Sequence, residues 1–178
     1  TFVTPASFAA APSATQLPGN GYVTNHDAST SAKIKNQGTS SGKGSATTPE
    51  TIKIEGQPVI RWGGNSGISK SKLLNTNQTS GFNIGSSATL NFKGGKAVLN
   101  IDATGNPSQI FGTLKGTHAS GNSASSNPDI FVANANGIIV GNNAVINSPG
   151  KTVGLIGDSV GYSGFGTTGT GTYDGISF

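Results

Sequence analysis

Few side chains in this sequence have the types and spacing that catalysis or metal binding requires. The 178 residues include two histidines, His26 and His118, and no cysteine. Both histidines stand in polar, Gly/Ser-rich segments, and neither has a second histidine two or four residues away, so a metal ion would lack ligands. The absence of cysteine also removes disulfides, zinc–thiolate clusters and thiol nucleophiles. We therefore expect no metal site and no cofactor.

Carboxylates are the other candidates for acid–base chemistry, because many glycoside-cleaving enzymes use them in pairs. Stacked strands would bring Asp102 and Asp129 closest, but each suits a corner cap better. A Ser-His-Asp triad needs a serine on a strand-to-helix turn, and helical periodicity is weak throughout the chain. The glycine pattern 161–166 lacks the same context for a phosphate loop. We expect that the protein is not an enzyme, since its acids are isolated in sequence: Asp27, Glu50, Glu55, Asp102, Asp129, Asp158 and Asp174.

The elements that would position these residues are short strands. Apolar runs of three to six residues, cut by glycine and asparagine, fill the sequence from Phe82 to Ile156. Short strands with Gly/Asn corners and few charges are typical of a coiled, stacked β-architecture. The predicted strands are Phe82–Ile84, Ala88–Phe92, Ala97–Ile101, Gln109–Leu114, Ile130–Ala133, Ile138–Val140, Ala144–Ile146 and Val153–Ile156.

Corners between these strands are predicted from glycine and asparagine. Gly105, Gly137 and Gly141 are expected to adopt positive φ, which glycine does without steric cost. Asparagines at corners can form ladders by hydrogen bonding to the next layer. The ladder or corner candidates are Asn83, Asn91, Asn100, Asn134, Asn136 and Asn147.

The length and composition predict one β-rich domain. Charged residues make up 10% of the chain, and the apolar stretches are well short of the roughly 20 residues that span a bilayer. Small residues at 7–11 suit a signal peptidase, so residues 1–13 are predicted as a leader remnant or N-terminal arm. Ile52 and Ile54 alternate with Lys53 and Glu55, which indicates a half-buried strand. The domain 14–178 is divided into a cap at 14–62, stacked rungs at 82–160 and a Gly/Thr-rich segment at 161–178.

The charge of +4 is unevenly distributed, because nine of the eleven basic residues precede residue 100. Such a bias could mark a nucleic-acid or polyanion surface. The lysines are nevertheless spaced singly, with few aromatics between them and no nucleic-acid-binding motif. We favour the interpretation that scattered lysines protect exposed β-edges from sideways pairing, and we expect no nucleic-acid partner.

Several motifs occur in a fixed order after Trp62. Phe82-Asn83-Ile84-Gly85 is followed by Asn106-Pro107-Ser108-Gln109-Ile110-Phe111-Gly112-Thr113-Leu114 and then by Asn134-Ala135-Asn136-Gly137-Ile138. Together with Gln16-Leu17-Pro18, this order resembles the secretion domain of two-partner-secreted exoproteins, the filamentous-haemagglutinin N-terminal family. The resemblance covers roughly residues 14–156. Ala135 replaces the proline of the family's N-P-N-G-I turn, and segments 63–81 and 115–126 are longer than usual.

The resemblance implies a fold, a partner and a location. The fold is an all-β, right-handed parallel β-helix with an N-terminal cap and short extra-helical strands. The function is export through the POTRA domains of an Omp85-type outer-membrane transporter, followed by nucleation of β-helix folding in an adhesin at the cell surface of a diderm bacterium. No integral membrane insertion is expected. The implied recognition residues are Phe82, Asn83, Asn106, Pro107, Ser108, Gln109, Asn134, Asn136, Gly137 and Ile138.

The alternative is a self-assembling extracellular fibre, adhesin or biofilm-matrix subunit. The segment 158–178 alternates small and aromatic residues, so it could pair with an open rung of another copy. Such docking would polymerise the chain head to tail. The assembly candidates are Tyr173, Ile176 and Phe178. The other possibility is that both terminal segments fold back on their own helix.

Overall fold

The protein is built from short β-strands. The computed structural model describes residues 9–24, 33–36, 50–64, 81–119, 127–163, 165 and 176–177, and it has no helix within these ranges. The strands are β1 Gly21–Val23, β2 Lys33–Asn36, β3 Glu50–Glu55, β4 Val59–Trp62, β5 Thr89–Lys93, β6 Ala97–Asp102, β7 Ser108–Ile110, β8 Thr113–Thr117, β9 Asp129–Ala133, β10 Ile138–Val140, β11 Val145–Asn147 and β12 Val153–Ile156.

The strands form three sheets that the chain visits in turn. Sheet 1 has the order β1-β4-β6-β9-β12, sheet 2 the order β10-β7, and sheet 3 the order β11-β8-β5-β3-β2. Pairing is parallel except where β1 meets β4 and β2 meets β3. We call one circuit through the sheets a rung: β3–β4, then 82–84 with β5–β6, then β7–β9, then β10–β12. The predicted all-β, mostly parallel architecture is confirmed.

The prediction of one continuous strand at Gln109–Leu114 is wrong. The segment is two strands, β7 and β8, which belong to different sheets and are separated by Phe111 and Gly112. A Cβ on Gly112 would collide with the carbonyl oxygens of Gly85 and Ala88. The chain turns here because glycine lets the backbone of one rung approach the next.

The predicted corners are partly confirmed. Gly105 and Gly137 have φ of 81° and 93°. Gly141 does not have positive φ, so that prediction was wrong. Glycine is required there for space, because a Cβ would lie 3.1 Å from the Phe111 ring. The predicted strand Phe82–Ile84 forms only one bridge, between Ile84 and Ile110.

The core lies between the three sheets. Leu90 is in register with Leu114, and Leu114 is in register with Ile146, so like residues stack from rung to rung. Burying such a side chain contributes about 1.5–3 kcal/mol. The fully or nearly fully buried members are Leu17, Ile52, Ile54, Ile60, Trp62, Phe82, Ile84, Ala88, Leu90, Phe92, Val98, Ile110, Leu114, Ile130 and Val132.

The first rung is covered by antiparallel strands and an N-terminal segment. β1 pairs with β4, and β2 pairs with β3. Leu17 enters the core, and Gly19 pairs with Gly81. Parallel stacking already begins at β3 and β4, which lie within the range assigned to the cap.

A second apolar cluster covers the outer face of sheet 1. Leu99 and Phe131 point away from the main core and pack with Phe165. Tyr162 and Ile176 pack against the same cluster, and Gly161 forms an antiparallel bridge with Ser177. The described part of the C-terminal segment therefore contacts its own chain.

Candidate functional site

The motif residues of the sequence meet at the corner where sheet 1 leads into sheet 2. Asp102, at the end of β6, is 6% exposed. Its Oδ2 accepts hydrogen bonds from the Phe82 amide at 2.8 Å and the Ser108 hydroxyl at 2.8 Å. Its Oδ1 accepts from the Thr104 amide at 3.0 Å and hydroxyl at 2.6 Å. The carboxylate therefore joins two successive rungs.

Asn134 extends this arrangement to the next rung. Its Nδ2 donates to the Asn106 carbonyl and to Ser108 Oγ, both at 2.9 Å. Its Oδ1 accepts from the Asn136 amide at 2.8 Å and from Asn136 Nδ2 at 3.3 Å. We call Asp102, Ser108, Asn134 and Asn136 the corner network. The bond between Ser108 and Asp102 joins two successive rungs, and the bonds of Asn134 connect Ser108 to the corner that leads into the following rung.

Gln109 connects the same corner to the N-terminal segment. Its backbone amide donates to Asn83 Oδ1 at 2.8 Å, and its side-chain Nε2 donates to the Ala10 carbonyl at 2.8 Å. The side chain is 5% exposed. Residue 10 thus belongs to the folded contacts, although it lies in the stretch 1–13 that the sequence assigns to a leader or arm.

The N-terminal segment continues along the edge of sheet 2. The Gly85 amide donates to the Gln16 carbonyl, and the Ser87 amide donates to the Ala14 carbonyl, both at 2.8 Å. A Cβ on Gly85 would lie 2.6 Å from the Ala14 carbonyl oxygen. The Gly85 of the F-N-I-G motif is therefore explained by this close backbone approach.

The remaining predicted recognition residues are divided between the core, a turn and the surface. Phe82 is fully buried and meets Trp62 edge to face, with ring centroids 5.7 Å apart. Ile138 packs against the main core, and Gly137 turns the chain with positive φ. Pro107 is half-buried, whereas Asn106 and Asn136 are exposed. Of the assembly candidates, Ile176 lies against sheet 1, while Tyr173 and Phe178 lie outside the described residues.

The two acids singled out as the closest pair are far apart. Asp129 is in register with Ala97, at the beginning of β6, whereas Asp102 is the last residue of that strand. Asp129 Oδ1 accepts from the Thr152 amide at 2.7 Å. Both carboxylates are corner caps at opposite ends of sheet 1, so they form no acid–base pair.

The predicted asparagine contacts between rungs are partly confirmed. Asn100 Nδ2 donates to the Phe131 carbonyl of the next rung at 3.1 Å, and Asn83 Oδ1 accepts from the backbone amide of Gln109 in the next rung at 2.8 Å. Asn134 and Asn136 bond to each other, whereas Asn100 is fully buried and accepts from Trp62 Nε1 at 3.0 Å. Asn91 accepts from the Thr117 hydroxyl at 3.1 Å and donates to the Thr51 hydroxyl at 3.4 Å. The prediction that Asp102 is a corner cap is confirmed, but its bonds to Phe82 and Ser108 could not be read from the N-P-S-Q motif.

Other chemistry finds little support in the geometry. A Gly-x-Ser-x-Gly pattern occurs at 157–161, but it leads from β12 into the bridge at Gly161 rather than into a helix. In the ranges that the structure describes, no three acidic or histidine side chains gather closely enough to hold a metal ion. Those ranges also contain no helix of the length and apolar character needed to span a bilayer.

Comparisons with protein-family models, curated proteins and solved structures each return no match to this chain. The likeness to the filamentous-haemagglutinin family therefore rests on the motif residues and their order.

Proposed function

We propose that the protein is a non-enzymatic secretion domain with the fold of a right-handed parallel β-helix. It is exported through an Omp85-type outer-membrane transporter and nucleates folding of an adhesin outside the cell. Three sheets visited in a fixed order, parallel pairing between rungs and a covered first rung support the β-helix. The motif order from Phe82 to Ile138 supports the family role.

The observation that carries this proposal is the burial of the motif residues. Ser108, Gln109 and Asn134 are each at most 5% exposed. A partner protein cannot read side chains that are inside the folded domain. We therefore infer that the transporter's POTRA domains bind these residues in an extended, unfolded chain, by adding a strand to a sheet edge.

Folding would then withdraw the same residues from the transporter. The corner network and the stacked core would form one rung at a time. Burial of apolar surface would be the main favourable contribution to the free energy of folding. The covered first rung favours growth in one direction, from β3 and β4 toward β12. Export by this route requires no nucleotide.

Asn106 provides the sharpest test of recognition by the transporter, because its carbonyl accepts a hydrogen bond from Asn134 while its side chain is exposed. Asn106→Ala keeps the carbonyl and is expected to keep the stability of the domain. If the side chain is read during export, secretion by cells that carry the partner transporter should fall several-fold. The matched control is Asn142→Ala, an exposed corner asparagine one rung later. Equal secretion of both variants would contradict the assignment of Asn106.

A second candidate function is a subunit of an extracellular fibre. The last described rung favours it, because β10, β11 and β12 are edge strands in their sheets and carry four exposed apolar residues: Ile139, Val140, Val145 and Leu155. Ile176 is occupied by its own chain, so this rung is the better docking surface. Light scattering across a concentration series would support the fibre if the mass grows and would exclude it if the chain stays monomeric.

A further inference from the structure

The outer face of sheet 3 carries lysines that the strand register aligns. Lys53 on β3 is the Cα partner of Lys93 on β5 and also of Lys35 on β2. Lys115 on β8 is the partner of Asn91 and of Asn147. Lys53, Lys93 and Lys115 alternate with buried core residues, so their side chains point outward. We call these three lysines the lysine row.

Positive charges outnumber negative charges on this face. Lys96 and Lys151 are exposed at the corners that lead from sheet 3 to sheet 1, so they add to the positive charge on this side. The acids Glu50, Asp102 and Asp129 are buried. Glu55 is on the same face two residues beyond Lys53, and its register partner in β2 is Lys33. In strand register, no described carboxylate is opposite a member of the lysine row.

Protection of sheet edges does not explain the lysine row. The edge strands of sheet 3 are β2 and β11, whereas β3, β5 and β8 are interior strands. The sequence-based interpretation of scattered, edge-guarding lysines is therefore wrong for Lys53, Lys93 and Lys115. Like charges directly opposite each other on neighbouring strands also destabilise a sheet. A feature that costs stability and has no edge to protect points to a ligand.

The surroundings of the lysine row indicate what class of ligand fits. Lys53 and Lys93 lie directly opposite each other on neighbouring strands, about 4.8 Å apart at the backbone, and Lys115 lies on the next strand opposite Asn91. Three positive charges spread across adjacent strands suit a ligand that carries several negative charges. Hydroxyl and amide groups separate the lysines, and Asn91 already links Thr51 to Thr117 across three strands. The outward positions of β3, β5, β8 and β11 include no aromatic side chain on which bases could stack, and only Val145 is apolar.

We propose that the outer face of sheet 3 binds a linear acidic polysaccharide, with Lys53 and Lys93 as the central contacts. Lysines pair with its sulfate or carboxylate groups, and the threonine and asparagine side chains hydrogen-bond its hydroxyls. This binding is independent of the proposed export role. It uses a surface that exists only after the strands have paired.

The test measures binding of the folded chain to dextran sulfate, with uncharged dextran as the control ligand. The wild type should bind dextran sulfate in a salt-dependent manner and should not bind dextran. K53Q/K93Q should weaken binding on the order of tenfold or more, because the variant lacks two lysines that each contribute to the electrostatic attraction to an anionic ligand. K96Q/K151Q removes the same charge from the corners and should weaken binding much less. Thermal unfolding of each variant verifies that the fold is retained.

Three results would overturn the proposal. One is that dextran sulfate does not bind at low salt. Another is that both double variants lose equal affinity, since net charge alone would then account for binding. The third is tighter binding to single-stranded DNA or to anionic phospholipid vesicles than to dextran sulfate at equal charge concentration, which would assign the face to a nucleic acid or a membrane.

Discussion

Single polar residues decide how the rungs are held in register. Asp102 accepts four hydrogen bonds from three residues, Phe82, Thr104 and Ser108. Hydrogen bonds to a charged group contribute more than neutral ones, and a buried donor that loses its acceptor retains its full desolvation cost. The carboxylate is therefore a structural centre of the motif region.

Replacing this carboxylate by an amide tests that role. In Asp102→Asn, Nδ2 takes the place of one oxygen, so either the Phe82 amide or the Thr104 amide loses its acceptor. We expect a loss of about 2–3 kcal/mol in the free energy of unfolding, measured by denaturant titration. Asp158→Asn, at an exposed carboxylate that accepts from the Ser159 amide, should change stability by no more than about 0.5 kcal/mol. Equal effects of the two substitutions would contradict this assignment.

The close backbone approach at Gly112 leads to a second prediction for a single residue. A Cβ there would meet backbone oxygens of Gly85 and Ala88, which cannot rotate away as a side chain would. Gly112→Ala should therefore destabilise the domain by more than about 3 kcal/mol, as steric conflicts in a core do. In the control Gly157→Ala, the added Cβ would lie 3.9 Å from Gly137 Cα, an ordinary contact. A thermal midpoint for Gly112→Ala close to that of the control would show that the backbone adjusts.

At the scale of elements, the N-terminal segment is part of the domain. The Ala10 carbonyl accepts a hydrogen bond from the buried side-chain amide of Gln109, and the carbonyls of residues 14 and 16 accept from the Ser87 and Gly85 amides. A leader peptidase that cut beyond Ala10 would remove one of these contacts. Processing that keeps this contact must therefore occur before Ala10.

Truncation tests the contribution of this tether. The chain that lacks residues 1–12 should be less stable than the chain that lacks residues 1–9 by about 1–3 kcal/mol, because the side-chain amide of Gln109 becomes unsatisfied. In a Gln109→Ala background the two truncations should be nearly equivalent, which isolates this one contact. Two equally stable truncated chains in the wild-type background would mean that Ala10 contributes nothing.

Most strands could be predicted from sequence, because their apolar residues alternate and their corners contain glycine. Val153–Ile156 and Ile138–Val140 match the structure residue for residue. The break at Phe111 and Gly112 could not be predicted, since it depends on how closely the preceding rung approaches. The alignment of Lys53 with Lys93 was equally hidden, because it depends on a pairing between strands 40 residues apart rather than on local pattern.

At the scale of the whole molecule, the two ends of the coil differ. The first rung is covered by β1, β2 and the N-terminal segment, while the last described rung exposes Val140 and Val145 on edge strands without a charged residue. Such edges accept further strands. This asymmetry suits a domain on which folding begins at one end and continues at the other, as nucleation of a longer β-helix requires.

The proposed export role depends on binding of the transporter to the motif residues before they fold. The most direct measurement is the affinity of purified POTRA domains from the partner transporter for this chain, immediately after dilution from denaturant and again after refolding. We expect the POTRA domains to bind the unfolded chain, and we expect this binding to disappear at the rate of folding and more slowly for any variant that folds more slowly. Equal affinity for the refolded domain would contradict it, because Ser108, Gln109 and Asn134 are then inside the protein.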